Sequence, residues 1–261
     1  MTDADIEATK APLIEHLIEL RSRLIKALVA FAAMFAICVY FAKDIYNVLV
    51  WPFASTARSM SIDPKLIYTA PLEYFFTELQ VALFGAGFFA FPIIAQQIYK
   101  FVAPGLYKNE RDAFLPYLIA TPIFFVLGAL VVYFFAMPLL MRFSLGMQQG
   151  AGAVAAIELL PKVSDYLSLI MTLIFAFGVC FQLPVILALL GQAGIIDSKF
   201  LIEKRRYAIV ILFGISAVLT PPDAISMMVL AVPTVLLYEA SILAVKYFEK
   251  RRATAQAAAS T

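Results

Sequence analysis

The residues of this chain best suited to binding chemistry are two glutamates that lie close to long apolar segments. Glu19 belongs to a segment with an apolar stripe and a charged stripe at i, i+4 spacing, which predicts an amphipathic helix. Glu110 follows the helix-ending pair Pro104-Gly105 and precedes another apolar segment, so we expect it near the lipid headgroups. Two partly desolvated carboxylates are suited to binding a cationic ligand.

Both glutamates also have a simpler interpretation, in which a neighbouring cation neutralises each of them. Glu19 and Arg23 have the spacing of a solvated helix ion pair, worth about 0.3–0.5 kcal/mol. Glu110 is flanked by Lys108 and Arg111. A metal site of the metalloprotease type is not expected, because it needs a second histidine four residues after the first, and His16 is the chain's one histidine.

Six apolar segments must position these residues. The chain is 63% hydrophobic and 15% charged, too apolar for a soluble core of 261 residues, so we expect an all-α polytopic membrane protein. A membrane helix needs about 20 apolar residues, or roughly 30 Å. Four segments meet this length, the fifth is short, and Glu239 interrupts the sixth. We predict one domain at 1–252, a disordered tail at 253–261, and spans at 24–42, 75–97, 114–135, 166–190, 207–219 and 224–245.

The positive charges predict the orientation of these spans. Fifteen of the twenty Lys and Arg residues fall on the connections that share a side with the amino terminus. Such cations stay in the cytoplasm, so both termini are predicted to be cytoplasmic. The five on the other side are Lys43, Arg58, Lys65, Arg142 and Lys162. The small net charge of +2 gives no reason to expect a nucleic-acid partner.

Polar residues and prolines interrupt the apolar segments. Gln182 is predicted to lie about 24 Å along its helix, in the cytoplasmic half of the bilayer, where it either bonds a neighbouring helix or faces a cavity. Glu78 near the outer end of the second span and Asp223 in the last hairpin raise the same question. Prolines inside four spans predict bent helices and a concave wall. The connections 43–73 and 136–165 are predicted to be external loops with at most short helices.

Motifs of catalysis are missing from the sequence. It contains neither a G-x-x-x-x-G-K-[ST] phosphate loop nor a G-x-S-x-G elbow, and it offers no Cys/His pair. We therefore expect neither enzymatic activity nor a cofactor. The main alternative is a proton-coupled small-solute transporter that uses Glu78, Gln182 and Glu239. Such proteins usually contain inverted repeats, and none is detectable here.

Several short motifs together give the chain a family resemblance. In order along the sequence they are 16–23 (HLIELRSR), 71–77 (PLEYFFT), 101–111 (FVAPGLYKNER), 166–168 (YLS), 177–184 (FGVCFQLP), 219–223 (LTPPD) and 238–239 (YE). The chain resembles the TatC family, the polytopic subunit of the twin-arginine protein translocase. The resemblance covers nearly the whole chain.

The resemblance implies a six-helix, glove-shaped receptor in the bacterial inner membrane, which exports folded proteins with the proton gradient. It implies that Glu19 and Glu110 contact the two arginines of the signal peptide, at a site shaped by Arg21, Phe101, Pro104 and Leu106. Gln182 would contact single-span subunits of the TatA/TatB type or an inserted signal. Pro52 and Asp223 match family positions on the outer side. We expect lipid, these subunits and further copies of the chain as partners.

Overall fold

The regular structure of the chain is helical, which confirms the predicted all-α class. The structure is a computed structural model that describes residues 3–106, 111–148, 158–192, 194–220 and 224–259. Between these helices a single β-bridge joins Ile67 and Lys162. The helices are α1 (Asp3–Tyr40), α2 (Ala42–Ser59), α3 (Glu73–Leu106), α4 (Arg111–Val131), α5 (Met137–Gly146), α6 (Val163–Cys180), α7 (Leu183–Gln192), α8 (Ser198–Leu219) and α9 (Ala224–Ala259).

Within the described ranges, five segments are long and apolar enough to cross a membrane. They are Leu17–Tyr40, Glu73–Phe101, Pro116–Gly146, Val163–Gln192 and Met227–Lys250. α8 is not among them, because its first half carries Lys199 and the cations at 204–206. The chain is therefore a multi-pass membrane protein, whereas the sixth span and the cytoplasmic location of both termini stay predictions.

Two names describe the ends of the helix bundle. The amino-terminal face carries the starts of α1, α4 and α8 and the ends of α3, α7 and α9. The opposite face carries α2, α5, the starts of α3, α6 and α9, and the end of α8. These assignments follow from the alternating direction of successive long helices.

The connections at the opposite face are more helical than the sequence predicts. α2 is an amphipathic helix of 18 residues in a region predicted to be mostly loop. A π-helical turn at Val132–Ala136 joins α4 to α5, so this helix continues to Gly146 instead of ending near residue 135. Apolar side chains explain both differences: Leu49 and Phe53 of α2 and Met137 of α5 are buried in the main core around α6.

Pro52 lies inside α2 and frees a backbone acceptor there. Proline has no N–H, so the carbonyl of Val48, four residues earlier, loses its helical donor. The hydroxyl of Tyr133 donates to that carbonyl at 2.8 Å, and the hydroxyl of Tyr166 donates to the next one, Leu49, at 2.9 Å. Two tyrosines thus fasten α2 to the spans beneath it.

Glycines allow α4 and α6 to pack closely. A Cβ atom on Gly128 would lie 2.7 Å from the carbonyl oxygen of Phe177, and one on Gly178 would clash with the ring of Phe125. Small residues are common at such contacts in membranes, where close backbone approach supplies the packing energy. This contact holds α4 against the carboxyl end of α6.

α8 and α9 form an antiparallel hairpin with polar contacts at matching levels. Arg205 Nη2 donates to Glu239 Oε2 at 2.7 Å, and the hydroxyl of Tyr238 donates to the carbonyl of Leu201 at 2.8 Å. Nearer the amino-terminal face, the backbone N–H of Ser198 donates to Glu249 Oε1 at 2.6 Å. The ion pair lies at the level where α8 becomes polar, whereas α9 stays apolar past Glu239 and reaches span length, contrary to the interruption predicted from Glu239.

The carboxyl-terminal tail continues α9. The helix runs to Ala259, and alanine, which is frequent in this segment, has the highest helix propensity. The disorder predicted for residues 253–261, and the single domain predicted for 1–252, stay predictions.

Replacing Tyr166 with phenylalanine is expected to loosen α2. Tyr166 is 3% exposed, and its hydroxyl bond to Leu49 contributes about 0.5–1.5 kcal/mol to stability. Tyr166→Phe should therefore lower the free energy of unfolding by that amount, measured by unfolding in detergent. Tyr68→Phe is the matched control, because Tyr68 is exposed. Equal stability of the two variants would contradict the role given to Tyr166.

Candidate functional site

Glu19 lies on α1 near the amino-terminal face and is paired with Arg23. Arg23 Nε donates to Glu19 Oε1 at 3.0 Å, and Arg23 Nη2 donates to the same oxygen. The Glu19 side chain is 36% exposed, so the pair is accessible. Glu19 is thus neutralised by Arg23, as the simpler interpretation of its i, i+4 spacing predicts. A second guanidinium can reach this carboxylate through Oε2 or by displacing Arg23.

The antiparallel packing of α1 and α3 brings Glu19 level with the end of α3. Cys38 lies against Gly85, with the Cys38 sulfur 3.1 Å from the position of a Gly85 Cβ. Glu19 is 19 residues before Cys38, and Pro104 is 19 residues after Gly85. Because both helices rise equally per residue, Glu19 and Pro104 have the same height along the pair.

The other residues predicted for this site are described less completely. Arg21 is exposed on α1, and Phe101 is half-buried near the end of α3. Pro104 and Leu106 belong to the last turn of α3, and their side chains are not described. Glu110 lies outside the described residues. The structure therefore brings Glu19 and the end of α3 to one level, while the pairing of Glu19 with Glu110 stays a prediction.

Gln182 lies at the break between α6 and α7 and is 6% exposed. Its Nε2 donates to the carbonyl of Thr121 in α4 at 3.0 Å and to that of Gly178 at 3.3 Å. The Gly178 carbonyl is available because the backbone N–H of Gln182 bonds Val179 instead. The side chain thus replaces the missing backbone donor at the end of α6 and links α6 to α4. Of the two roles that the sequence allowed for Gln182, the structure shows the hydrogen bond to a neighbouring helix.

The Gln182 side chain retains one unused acceptor. Among the buried side-chain polar atoms of the described residues, Gln182 Oε1 alone has no hydrogen-bond partner. Both amide hydrogens face carbonyl oxygens, so the group has no further donor to offer. Any group that bonds Gln182 in this state must therefore be a donor.

Close to Gln182 the protein contains a groove lined by α3, α6 and α8. The volume of the groove is about 650 Å³. Most lining residues are apolar, including Phe84, Phe175 and Leu212, and the polar ones are Gln80, Ser168 and Thr172. Cys180 and Leu183, which flank the α6–α7 break, also line it. The groove is suited to an apolar segment of chain.

The remaining predicted residues do not join this site. Glu78 is half-buried in the second turn of α3, and within the described ranges no cation pairs with it. Pro52 is buried in α2 at the opposite face, and Asp223 lies outside the described residues. Since Glu239 pairs with Arg205 and Gln182 bonds α4, these two do not form the polar pathway that a small-solute transporter would need.

Two polar features escaped sequence reasoning. Tyr117 in α4 bonds Gln192 in α7 through its hydroxyl, deep in a region of apolar helices. Glu73, at the start of α3, contacts Ser164 at the start of α6. Glu73 belongs to a recognised motif, but its partner lies 91 residues away, and no local pattern in the sequence predicts that contact.

Comparison with known proteins identifies the family. The family model described as "Sec-independent protein translocase protein (TatC)" matches residues 15–233. The chain belongs to the TatC family. The protein named Sec-independent protein translocase protein TatC in Magnetococcus marinus is 42% identical over 97% of this chain and 90% of its own length. The TatC proteins of Rickettsia prowazekii and Escherichia coli are 40% and 34% identical, over 91% of this chain in each case and 94% and 89% of their own lengths.

A solved structure agrees with this assignment. A crystal structure of the twin-arginine translocase receptor TatC superposes with a TM-score of 0.79 at 36% identity, covering 90% of this chain and 99% of that one. A second crystal structure of that receptor, in DDM, gives a TM-score of 0.77 at the same identity, covering 87% of this chain and 98% of that one. The chain is accordingly a core subunit of the Tat translocase, a component of protein transport.

Gln182→Leu is expected to weaken the contact between α4 and α6. The substitution leaves the carbonyls of Thr121 and Gly178 without their side-chain donor, at a cost of about 1–3 kcal/mol. Thermal unfolding in detergent measures the loss. Gln80→Leu is the control, because it makes the same replacement of glutamine by leucine at an exposed residue that lines the groove. The role of the amide would be wrong if Gln182→Leu were as stable as this control.

Proposed function

We propose that this TatC subunit is the receptor, without enzymatic activity, that binds twin-arginine signal peptides at its amino-terminal face. Glu19 and Glu110 bind the two signal arginines there, and Arg21, Phe101, Pro104 and Leu106 shape the site. The observation that carries the proposal is the accessible Glu19 carboxylate at the level where α3 ends. The family supports it, since the related crystal structure is named as the twin-arginine translocase receptor.

The chemistry of arginine accounts for the choice of ligand. A guanidinium donates two parallel hydrogen bonds to a carboxylate, which a lysine ammonium does not match. Each charged hydrogen bond contributes about 1.5–3 kcal/mol when partly shielded from water, and an exposed ion pair about 0.2–1 kcal/mol. Glu19, at 36% exposure, lies between these cases. Its existing bond with Arg23 further reduces the net gain, because that bond must be shared or exchanged.

Two arginine contacts of this strength discriminate among ligands but do not alone bind tightly. The apolar stretch that follows the arginines in a signal peptide supplies the remaining affinity by leaving water. The groove between α3, α6 and α8 is the apolar surface available for it, and Cys180 and Leu183, which flank Gln182 in the sequence, line the groove. Gln182 contacts either this stretch or a single-span subunit of the TatA/TatB type, through a donor on the incoming chain.

The proposed orientation in the bacterial inner membrane places the amino-terminal face in the cytoplasm. Exposed cations at that face include Arg21, Lys26, Lys199, Lys204 and Lys250, as cytoplasmic connections usually do. Cargo proteins carry their signals on that side before export. The receptor works with single-span partners, lipid and further copies of itself, and the proton gradient supplies the energy.

Photo-crosslinking tests the signal site directly. A signal peptide with a crosslinker beside its arginines should label the wild-type chain, and Glu19→Gln and Glu110→Gln should each reduce capture about tenfold, equivalent to about 1.4 kcal/mol. The wild-type chain should capture a twin-lysine peptide about as weakly as the two variants capture the twin-arginine peptide. Lysine keeps the charge but lacks the planar guanidinium that donates two parallel hydrogen bonds.

The control for this experiment is Asp63→Asn, which removes an exposed carboxylate at the opposite face. It should leave capture unchanged. Unchanged capture by both glutamate variants would refute the proposed site.

We further propose that the short hairpin of α8 and α9 thins the bilayer and helps assembled partners open a path for cargo. The apolar part of α8, residues 207–219, spans roughly 20 Å against a hydrocarbon core of roughly 30 Å. The Arg205–Glu239 ion pair is the supporting observation, because it lies at the level where the apolar part of α8 ends. A bilayer accommodates such a mismatch by local thinning.

Lengthening α8 tests this second proposal. Four apolar residues inserted after Ile211 add about one helical turn, which should relieve the mismatch and impair export of a Tat reporter. Labelling by a crosslinker beside the signal arginines should be retained, since Glu19 and the end of α3 lie outside α8. An insertion of the same length after Ala253, in the tail, controls for the added residues. Normal export with the longer α8 would disprove the thinning role.

A further inference from the structure

Glu73 connects two helix starts at the opposite face. Its Oε2 accepts hydrogen bonds from the backbone N–H of Thr69 at 2.8 Å and of Ala70 at 3.3 Å, just before α3. Its Oε1 accepts a bond from the hydroxyl of Ser164, the second residue of α6, at 2.8 Å. The Glu73 side chain is 7% exposed. One carboxylate therefore binds the loop that precedes its own helix and also the start of the neighbouring helix.

Electrostatics favours a negative charge at this position. The start of a helix leaves backbone N–H groups without partners and carries a partial positive charge. The carboxylate lies between the starts of α3 and α6, with Lys162 Nζ 3.5 Å from Oε2 as a further cation. A neutral side chain at position 73 would remove the counter-charge nearest to Lys162 and leave Asp165, in the first turn of α6, as the remaining carboxylate there.

A short backbone bridge strengthens the same connection. The N–H of Ile67 donates to the carbonyl of Pro161 at 3.1 Å, and the N–H of Val163 donates to the carbonyl of Ile67 at 2.8 Å. The loop before α3 is thus joined directly to the segment before α6. We call Ile67, Glu73, Lys162 and Ser164 the clasp.

The clasp lies at one end of the groove described above. Gln80, two helical turns after Glu73, and Ser168, one turn after Ser164, both line that groove. The residues of the clasp and those of the groove walls thus follow one another on the same two helices. The distance between the helix starts therefore sets the width of the groove at this end.

We infer that Glu73 is a positioning residue that fixes the spacing of α3 and α6 and thereby the width of the groove. Its link to signal capture rests on the proposed function, in which the groove receives the apolar stretch of the signal peptide. The spacing itself does not depend on which ligand the groove binds.

Distance measurements between spin labels test the clasp. Labels are attached to cysteines at Phe76 and Asp165, both exposed, on the full chain in nanodiscs with the buried Cys38 and Cys180 changed to alanine. Glu73→Gln and Ser164→Ala should shift the distance distribution to longer values and broaden it. Ser164→Ala is the decisive variant, because it leaves the bonds from Thr69 and Ala70 to Glu73 in place.

Matched controls separate the clasp from general destabilisation. Ser164→Thr retains the hydroxyl and should restore the wild-type distribution, and Asp63→Asn removes an exposed carboxylate from the same loop without effect. Measuring below the unfolding temperature of every variant keeps loss of fold from contributing. Wild-type distributions for both Glu73→Gln and Ser164→Ala would overturn the inference.

A second readout connects the clasp to signal capture. With the crosslinker in the apolar stretch of the signal peptide, Glu73→Gln should reduce capture, while a crosslinker beside the arginines should still label the chain. Loss of the clasp distances with unchanged capture of the apolar stretch would overturn the link to the groove. Capture that is independent of Glu19 would refute the signal site and leave the spin-label result standing.

Discussion

The structure depends on one constraint: within a bilayer, a polar group must find its partner in the protein, because lipid chains offer none. Buried hydroxyl groups meet this requirement within their own helix, where each donates to a carbonyl in the preceding turn. This is the case for Thr121, Ser216, Thr234 and Ser241. Breaks in helices need partners from elsewhere. Tyr133 serves the carbonyl that Pro52 frees, and Gln182 serves the one that the break of α6 frees. Irregular backbone in this chain is thus held by side chains of neighbouring helices.

The same constraint separates structural polar residues from candidate binding residues. Glu239, Glu249 and Glu73 have partners within the fold, so their carboxylates are already committed. Glu19 differs, because its partner is a half-buried arginine on its own helix, and such an i, i+4 pair is weak enough to be exchanged. Gln182 combines a structural role with an unused bonding group: its amide hydrogens bond carbonyls of α4 and α6, and its carbonyl oxygen has no hydrogen-bond partner.

Local pattern predicted the helices and missed the contacts between them. Apolar length alone located the five span candidates, and the i, i+4 spacing of Glu19 and Arg23 predicted their pair. The sequence did not predict that α2 is a long helix, because Pro52 argues against one until Tyr133 is known to occupy the freed carbonyl. Glu73 and Ser164 are 91 residues apart, so their contact depends on the packing of α3 against α6. Function was predicted from the joint occurrence of motifs, each of them weak alone.

The positions of the polar contacts also bear on how the groove keeps its form. Its walls are tied at the opposite face by Glu73 and Ser164, while α8 is tied to α9 at the amino-terminal face by Ser198, Arg205 and their partners. Between these ends the lining is mainly apolar and makes few directional bonds. Directional contacts at the two ends and non-directional contacts along the length allow a groove to keep its width while accepting apolar segments of differing sequence. The proposed binding of signal peptides needs that combination, because an apolar groove without directional bonds selects for hydrophobicity and not for a fixed order of side chains.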